Sequence, residues 1–298
     1  MNQLQAIRVF ACVVETGSFT RAADALNMPK TTVSKLIREL EVHLGVRLLQ
    51  RTTRRLTVTA DGTSYYQLTQ RLVHQLEDID QGFAQAQGAP RGKIRVDIGG
   101  SLATLLVIPA LPGFFERFPD IKLDLGVSDR LVDLIGERVD CVIRGGPLTE
   151  QSMAVRRLGE VQWITCASPA YLQRHGVPTH PKDLEHHRLV NYLSAANGRI
   201  LPARFERDGE RHVIEGKGLI ALNESNAHLA AGVAGLGIIH TFAYTARAHV
   251  ERGELVPILA DWRPPPYPFH VLYPPNRHLS KRVRVFIDWL VERFAQVD

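Results

Sequence analysis

The chain has 298 residues, 45% of them hydrophobic and 22% charged, with a net charge of +5. That length suits two or three domains with separate cores, and no run of about 18 apolar residues suggests a membrane span. The N-terminal residues do not form the unbroken apolar stretch of a signal peptide, and Cys12, Cys141 and Cys166 are too scattered for a disulfide framework or a zinc site, so a cytoplasmic protein without cofactor or metal is expected.

Charge is concentrated at the start of the chain. Residues 1–62 hold nine Lys and Arg against five Asp and Glu, while the rest is nearly neutral. An asymmetry of this kind points to a polyanionic partner for the N-terminal segment. Leu4, Ile7, Phe10, Ala11 and Val14 repeat at helical spacing, which predicts a first helix over 2–15. Ser18 or Thr20 can cap a short second helix whose inner face is Phe19, Ala22, Ala23 and Leu26. Asn27 and Met28 form a turn, Pro29 opens a third helix, and Gly45 ends it. A short Ala-rich helix, a tight turn and a second helix make a helix-turn-helix pattern. On its second helix Thr31, Ser34, Lys35 and Arg38 form one stripe, with Lys30 and Thr32 at its start. Hydroxyls and cationic side chains of this kind bond base edges and phosphates, although many polar helix stripes merely face water. Next comes a cationic loop, Arg51-Thr52-Thr53-Arg54-Arg55, leading into the alternating RRLTVTA. The pattern is a wing whose tip carries arginines to phosphates or a minor groove.

Three stretches, TGSFTRAADALN, VSKLIRELEVHLGVRLLQR and RRLTVTADG, resemble the winged helix-turn-helix of LysR-type transcriptional regulators in order and spacing. The resemblance implies a DNA-binding role for Ser18, Thr20, Arg21, Lys30, Thr31, Thr32, Ser34, Lys35, Arg38 and residues 51–55. It also implies an inverted-repeat operator in double-stranded DNA, and RNA polymerase is a further candidate partner. The chain has Pro29-Lys30-Thr31 where many members have Ser-Gln-Pro or Ser-Gln-Ser.

From residue 59 to 87 the sequence reads as one long helix. Tyr65, Leu72, Ile79 and Ala86 are spaced by seven, and Thr69, Leu76 and Phe83 fall between them, which gives a heptad seam. The seam suits self-association, and in the resembled family this helix joins the chains of a homodimer or homotetramer. The expected domains are a DNA-binding domain over 1–62, a linker helix over 63–88 and a regulatory domain over 89–298.

After the Gly88-Ala89-Pro90 hinge the pattern becomes α/β. Strands are expected at 93–98, 121–127 and 139–143, with a helix containing Leu105 to Phe118 and a short one at Leu131, Leu134 and Ile135. A second set follows: strands at 163–167 and 188–193, helices at 169–175 and 226–234, then a strand at 269–273 and a helix over 279–294. The repetition predicts parallel sheets in two subdomains, about 92–160 with 268–298, and about 161–267. RGKIRVDIGGSLATLLVIPALPGFFERFPDIKLDL and CASPAYLQRHG resemble the regulatory domain of the same family, which is similar to periplasmic binding proteins. The resemblance implies a small-molecule effector between the subdomains. Gly100, Ser101 and Leu102 sit at a strand-to-helix junction where N–H groups can hold an anion, or Ser101 is a plain cap. Arg144, followed by Gly145, can pair an effector carboxylate or an internal Asp. Asn223 and Asn226 flank Glu224 and Ser225 at a helix start, and Thr165, Tyr192 and His240 complete the candidate effector site. A carboxylate or an aromatic molecule is expected as effector. An enzyme using Ser101 and His240 lacks both a G-x-S-x-G elbow and a recognisable third member, so no catalytic residue is expected. A transporter's solute-binding component would fit the last two-thirds alone.

Overall fold

The structure, a computed structural model, describes residues 1–51, 56–84, 89–130, 139–146, 153–195, 197–275 and 279–295. It divides into two compact units, Met1–Gly88 and Ala89–Asp298.

The first unit opens with α1 (Gln3–Thr16), α2 (Phe19–Ala25) and α3 (Lys30–Leu44). Ala22 and Ala23 are buried where these helices meet, and they pack with Phe10, Val13, Val33, Ile37 and Leu40. The turn between α2 and α3 is held by Met28 N–H donating to the Ala23 carbonyl at 2.9 Å, with Asn27 at φ 50°. Asn tolerates that left-handed conformation better than most residues. Pro29 is extended (φ −60°, ψ 138°) and caps α3, one position before the place the sequence suggests. Its carbonyl accepts from Thr32 N–H at 2.9 Å, so Pro29 contributes an acceptor at a position where its missing N–H costs nothing.

Two short antiparallel strands follow, β1 (Leu49–Arg51) and β2 (Leu56–Val58), in register Leu49↔Val58 and Arg51↔Leu56. The Arg51 side chain and the expected tip, Thr52, Thr53, Arg54 and Arg55, lie outside the described residues. The Glu41 carboxylate fixes the approach to the hairpin, because its Oε1 accepts from Leu48 N–H (2.9 Å) and Leu49 N–H (3.0 Å).

The long helix α4 runs over Ala60–Ala84. Its expected seam divides. The Tyr65 ring packs on Phe10 at 5.9 Å and Thr69 is buried, while Tyr66 Oη and Gln70 Nε2 donate to Glu15 Oε1 at 2.9 and 2.6 Å. The first turns of α4 therefore complete the core of their own unit, because α1 offers them an aromatic surface. Leu72 is 59% exposed, and Leu68 beside it is 63% exposed. The side chains of Ile79, Phe83 and Ala86 lie outside the described residues.

The second unit begins with β3 (Gly92–Ile98), α5 (Gly100–Leu102), a π-helical turn, a 3₁₀ turn and α6 (Leu111–Arg117). Pro109 and Pro112 account for the interruptions, since proline has no N–H for an unbroken helical ladder. Then follow β4 (Ile121–Val127), β5 (Cys141–Gly145), β6 (Ala154–Val161) and β7 (Trp163–Ala167). The short helix expected at Leu131, Leu134 and Ile135 lies outside the described residues. Next come α7 (Pro169–His175), β8 (Asn191–Tyr192), β9 (Ala203–Arg207), β10 (Glu210–Ile214), β11 (Ala221–Leu222) and α8 (Ser225–Val233). The chain closes with β12 (Ile239–Phe242), α9 (Ala243–Glu251), β13 (Val256–Ile258), β14 (Tyr267–Tyr273) and α10 (Lys281–Phe294).

Five strands form one sheet in the order β4-β3-β5-β14-β6. The sheet is mixed rather than parallel: β3 is parallel to β4 and β5, whereas β14 runs antiparallel between β5 and β6. The late strand β14 reaches this sheet from the other side of the unit, so no right-handed crossover constrains its direction. Packing of α10 is aromatic on both sides, with Phe294 5.8 Å from Phe269 of β14, and Phe286 and Trp289 5.5 and 5.0 Å from Phe114 of α6. A second sheet, β12-β7-β13, is antiparallel throughout. Its middle strand gives Ala167 to one apolar cluster and Cys166 to another, which explains why neighbouring positions on the strand are both apolar.

Glu41→Ala removes the acceptor for two backbone donors ahead of the hairpin. We expect a loss of about 1–3 kcal/mol in the stability of the first unit, read by urea denaturation, with Glu41→Gln losing less. An unchanged midpoint would show that water replaces the carboxylate freely.

Candidate functional site

On α3, Val33, Leu36, Ile37 and Leu40 are buried and fix the orientation of the helix. Lys30, Thr31, Lys35 and Arg38 are then exposed and Ser34 and Thr32 are half-buried, so the stripe read from the sequence lies on the open side. Lys35 Nζ is 3.8 Å from Glu39 with a 75% exposed side chain, a loose surface pair that leaves the ammonium available. Ser18 is the cap of α2, with Oγ accepting from Arg21 N–H at 3.4 Å, and Thr20 and Arg21 are exposed beside it. This arrangement presents hydroxyls and cations together from two helices joined by a tight turn.

In the second unit, the carboxylate of Asp129, just past β4, organises the junction between the two sheets. Its Oδ1 accepts from Gly100 N–H at 2.7 Å, and its Oδ2 accepts from Ser225 N–H at 2.6 Å and Tyr192 Oη–H at 3.0 Å. The backbone donors opening α5 and α8 are thus bound to an internal anion. Glu224 caps α8 through Oε2 to Ala227 N–H (2.8 Å) and Oε1 to Asn226 N–H (3.0 Å) and Nδ2 (2.9 Å). A Cβ on Gly100 would stand 2.5 Å from that Oε1, so a larger residue would displace the Glu224 carboxylate.

Several candidate effector residues have internal roles. Ser101 is buried, its N–H donates to Ser225 Oγ at 3.0 Å, and its hydroxyl pairs with Tyr244 Oη at 2.9 Å. Leu102 belongs to the apolar core. Arg144 pairs with the nearly buried Asp97 and donates to the carbonyls of Ile143 and Arg130, both at 2.9 Å. Its guanidinium is held inside the fold, the second of the two options the sequence leaves open. Gly145 lies under Tyr267, Asn223 is exposed, and Asn226 holds Glu224. The Ser101 hydroxyl thus faces Tyr244, while His240 Nδ1 is bonded to Thr165 Oγ1 at 2.9 Å.

Tyr192, Thr165 and His240 lead to a different place. Tyr192 and His240 line a cavity of ≈ 20 Å³ with Trp163, Leu189, Val190, Asn191, Leu201, Pro202, Ala203, Ile214, Gly216 and His228. That volume holds about one water, so a larger guest must part the walls. His240 stacks on Trp163 (4.8 Å between centroids, 8° between planes), and the Phe205 ring lies 5.3 Å away. Burial pushes the His240 imidazole down to about 3. Burial also lowers His228, whose Nε2 pairs with the Val190 carbonyl at 2.9 Å. Tyr192 is shifted upward by burial and by neighbouring Asp129, which keeps its phenol protonated. The cavity walls are therefore aromatic and uncharged at neutral pH, with hydrogen-bonding groups on Asn191 and the imidazoles.

Asp129, Trp163, His228 and Tyr244 are the residues that sequence reasoning missed. Asp129 carried one faint signal, a Ser-Asp pair directly after a strand, which is ordinary turn chemistry.

The chain matches two family descriptions, "Bacterial regulatory helix-turn-helix protein, lysR family" over residues 4–63 and "LysR substrate binding domain" over residues 87–295. It is 39% identical, over 99% of its length and 93% of the relative's, to an HTH-type transcriptional repressor of Pseudomonas aeruginosa. Among solved structures it resembles full-length AphB, a virulence activator of Vibrio cholerae, at TM-score 0.63 and 31% identity, covering 97% of this chain and 98% of that one. CrgA of Neisseria meningitidis gives TM-score 0.62 at 30% identity, covering 97% and 98%. With both of its units matched and a relative 39% identical along nearly its whole length, the chain belongs to the LysR family of DNA-binding transcriptional regulators with an effector-binding regulatory domain.

Proposed function

We propose that the chain reads an inverted-repeat operator through Lys30, Thr31, Ser34, Lys35 and Arg38 of α3, with Thr32, Ser18, Thr20 and Arg21 flanking and Arg51, Arg54 and Arg55 on phosphates. The supporting observation is the stripe on α3, set on the open side by four buried apolar residues and placed in the most basic part of the chain. Two half-sites call for two copies, and the exposed Leu68 and Leu72 on α4 offer an apolar surface for self-association as a dimer or tetramer. Binding DNA places the protein in the cytoplasm. Catalysis forms no part of this reading, since the hydroxyl of Ser101 and the ring of His240 are bonded to other partners.

The effector, in this reading, is an uncharged aromatic or heteroaromatic molecule. What supports it is the lining of the cavity: Trp163, Tyr192 and two imidazoles held neutral, with no cationic side chain among the lining residues. An anionic effector would meet Asp129 and Glu224 at the helix starts where anions are otherwise welcome, and Arg144 is already paired with Asp97. Ligand entry then widens the cavity next to Tyr192, whose hydroxyl bonds the Asp129 bridge between α5 and α8. Differential affinity for the two arrangements is all that coupling to DNA requires.

Arg38→Ala should weaken binding to an operator selected from a random DNA pool by about 1–3 kcal/mol and flatten the salt dependence by about one counterion, measured by fluorescence anisotropy across salt concentrations. Equal affinity and slope in the variant would remove Arg38 from the interface. In a thermal-shift panel, phenols and indoles should raise the melting temperature and the matching arene carboxylates should not. Ala203→Val, which narrows the cavity wall, should abolish that response while DNA binding persists; carboxylates outperforming their uncharged analogues would refute the assignment. His240 gives a pH test. With a pKa near 6.5 unfolded and about 3 folded, only the unfolded chain takes up the proton as pH falls through this window, so stability present above about 6.5 is lost toward pH 3. His240→Phe should show a shallower fall in melting temperature between about pH 7 and pH 4, and an identical fall would mean that His240 is protonated without cost.

A further inference from the structure

The β9–β10 hairpin carries chemistry that neither DNA binding nor the effector cavity uses. Glu210 and His212, two residues apart on β10, face the side chain of His180, which precedes the 3₁₀ helix over Pro181–His186. Each of the three offers one ligand atom, and these atoms all lie within 4.8 Å of one another. His212 Nε2 is 2.8 Å from Glu210 Oε1, and His180 Nε2 is 3.8 Å from the same oxygen. Tetrahedral coordination with bonds of about 2.1 Å separates ligand atoms by about 3.4 Å. The two observed separations lie on either side of that value, so small side-chain rotations suffice.

The ligand set is also held in place. The Trp262 ring forms a wall under both imidazoles, 4.8 Å from His180 at 80° and 5.3 Å from His212 at 66°. The Asp208-Gly209 turn, with φ 50° and 86°, sets the register that places Glu210 and His212 on one face. Outer bonds hold the opposing loop, where Asp183 Oδ2 accepts from Thr179 N–H and His180 N–H at 2.9 Å each. Metal ligation at His180 Nε2 requires the ring proton on Nδ1, which then gives up its 3.2 Å contact with Lys182 N–H. The Asp183 bonds keep the loop in position without it.

We propose that His180, Glu210 and His212 bind one divalent transition-metal ion of borderline softness, such as Zn²⁺ or Ni²⁺, with water completing the coordination. Two imidazoles and one carboxylate are the donor set such ions prefer, whereas Mg²⁺ and Ca²⁺ favour oxygen ligands throughout. The ion would join the loop over residues 179–186 to the hairpin. Ile214, two residues beyond His212 on the same strand and paired with Ala203, lines the cavity.

The test uses the full-length, tag-free protein after chelator dialysis. Calorimetric titration with Zn²⁺ and with Ni²⁺ should show one saturable site per chain, and Mg²⁺ should show none. Glu210→Gln, an exposed change that preserves the fold, should lower the affinity more than about tenfold, and His180→Ala with His212→Ala should abolish binding. Ni²⁺ should also quench fluorescence from Trp262, and Trp262→Phe should remove that quenching while the calorimetric site persists. The proposal is overturned if no one-per-chain site is found, if Glu210→Gln binds as tightly as the parent, or if the quenching is independent of Trp262.

Discussion

The carboxylate of Asp129 joins three parts of the regulatory unit that are far apart in sequence: the start of α5 at Gly100, the start of α8 at Ser225, and the phenol of Tyr192. Helix starts expose N–H groups that need acceptors, and a negative charge there is favoured by the aligned peptide dipoles. By supplying that charge from inside the chain, Asp129 satisfies both helices at once and ties the first sheet's loop to elements of the second. The place a bound anion would occupy is thereby filled. The aromatic cavity lies next door and shares Tyr192 with this bridge.

The two units therefore use opposite physics. The first concentrates positive charge and hydroxyls on an exposed helix, suited to a phosphate-rich partner whose attraction falls with salt. The second keeps its cavity neutral by burying imidazoles, and Arg144 near its first sheet is paired with Asp97.

Much of the first unit was legible in the sequence because its signals are local. Apolar spacing, Ser18 and Gly45 mark helix ends through bonds within a few residues, and α3 ends at Leu44 with Gly45 in the left-handed region. The strand at Ile121–Val127 and the helix at Pro169–His175 also lie where alternation and capping place them. Other features needed partners distant in the chain. Tyr65 and Thr69 sit on a heptad seam, yet the aromatic face of α1 claims them. The hairpin at Ala203–Ile214 carries a local signal of its own, an Asp-Gly turn between alternating flanks. The direction of β14 was not available, since no local pattern says which neighbour a late strand will join.

By itself, then, the sequence determined the family, the α/β class, the basic reading helix and the chemistry its stripe can perform, because period, caps and charge act over a few residues. The tertiary structure alone decided that Arg144 faces Asp97, that Asp129 takes the helix N–H groups, and that His180 meets Glu210 and His212 over Trp262. Those outcomes depend on which donor finds which acceptor once distant segments are packed together, and no local pattern marks a partner that lies far along the chain.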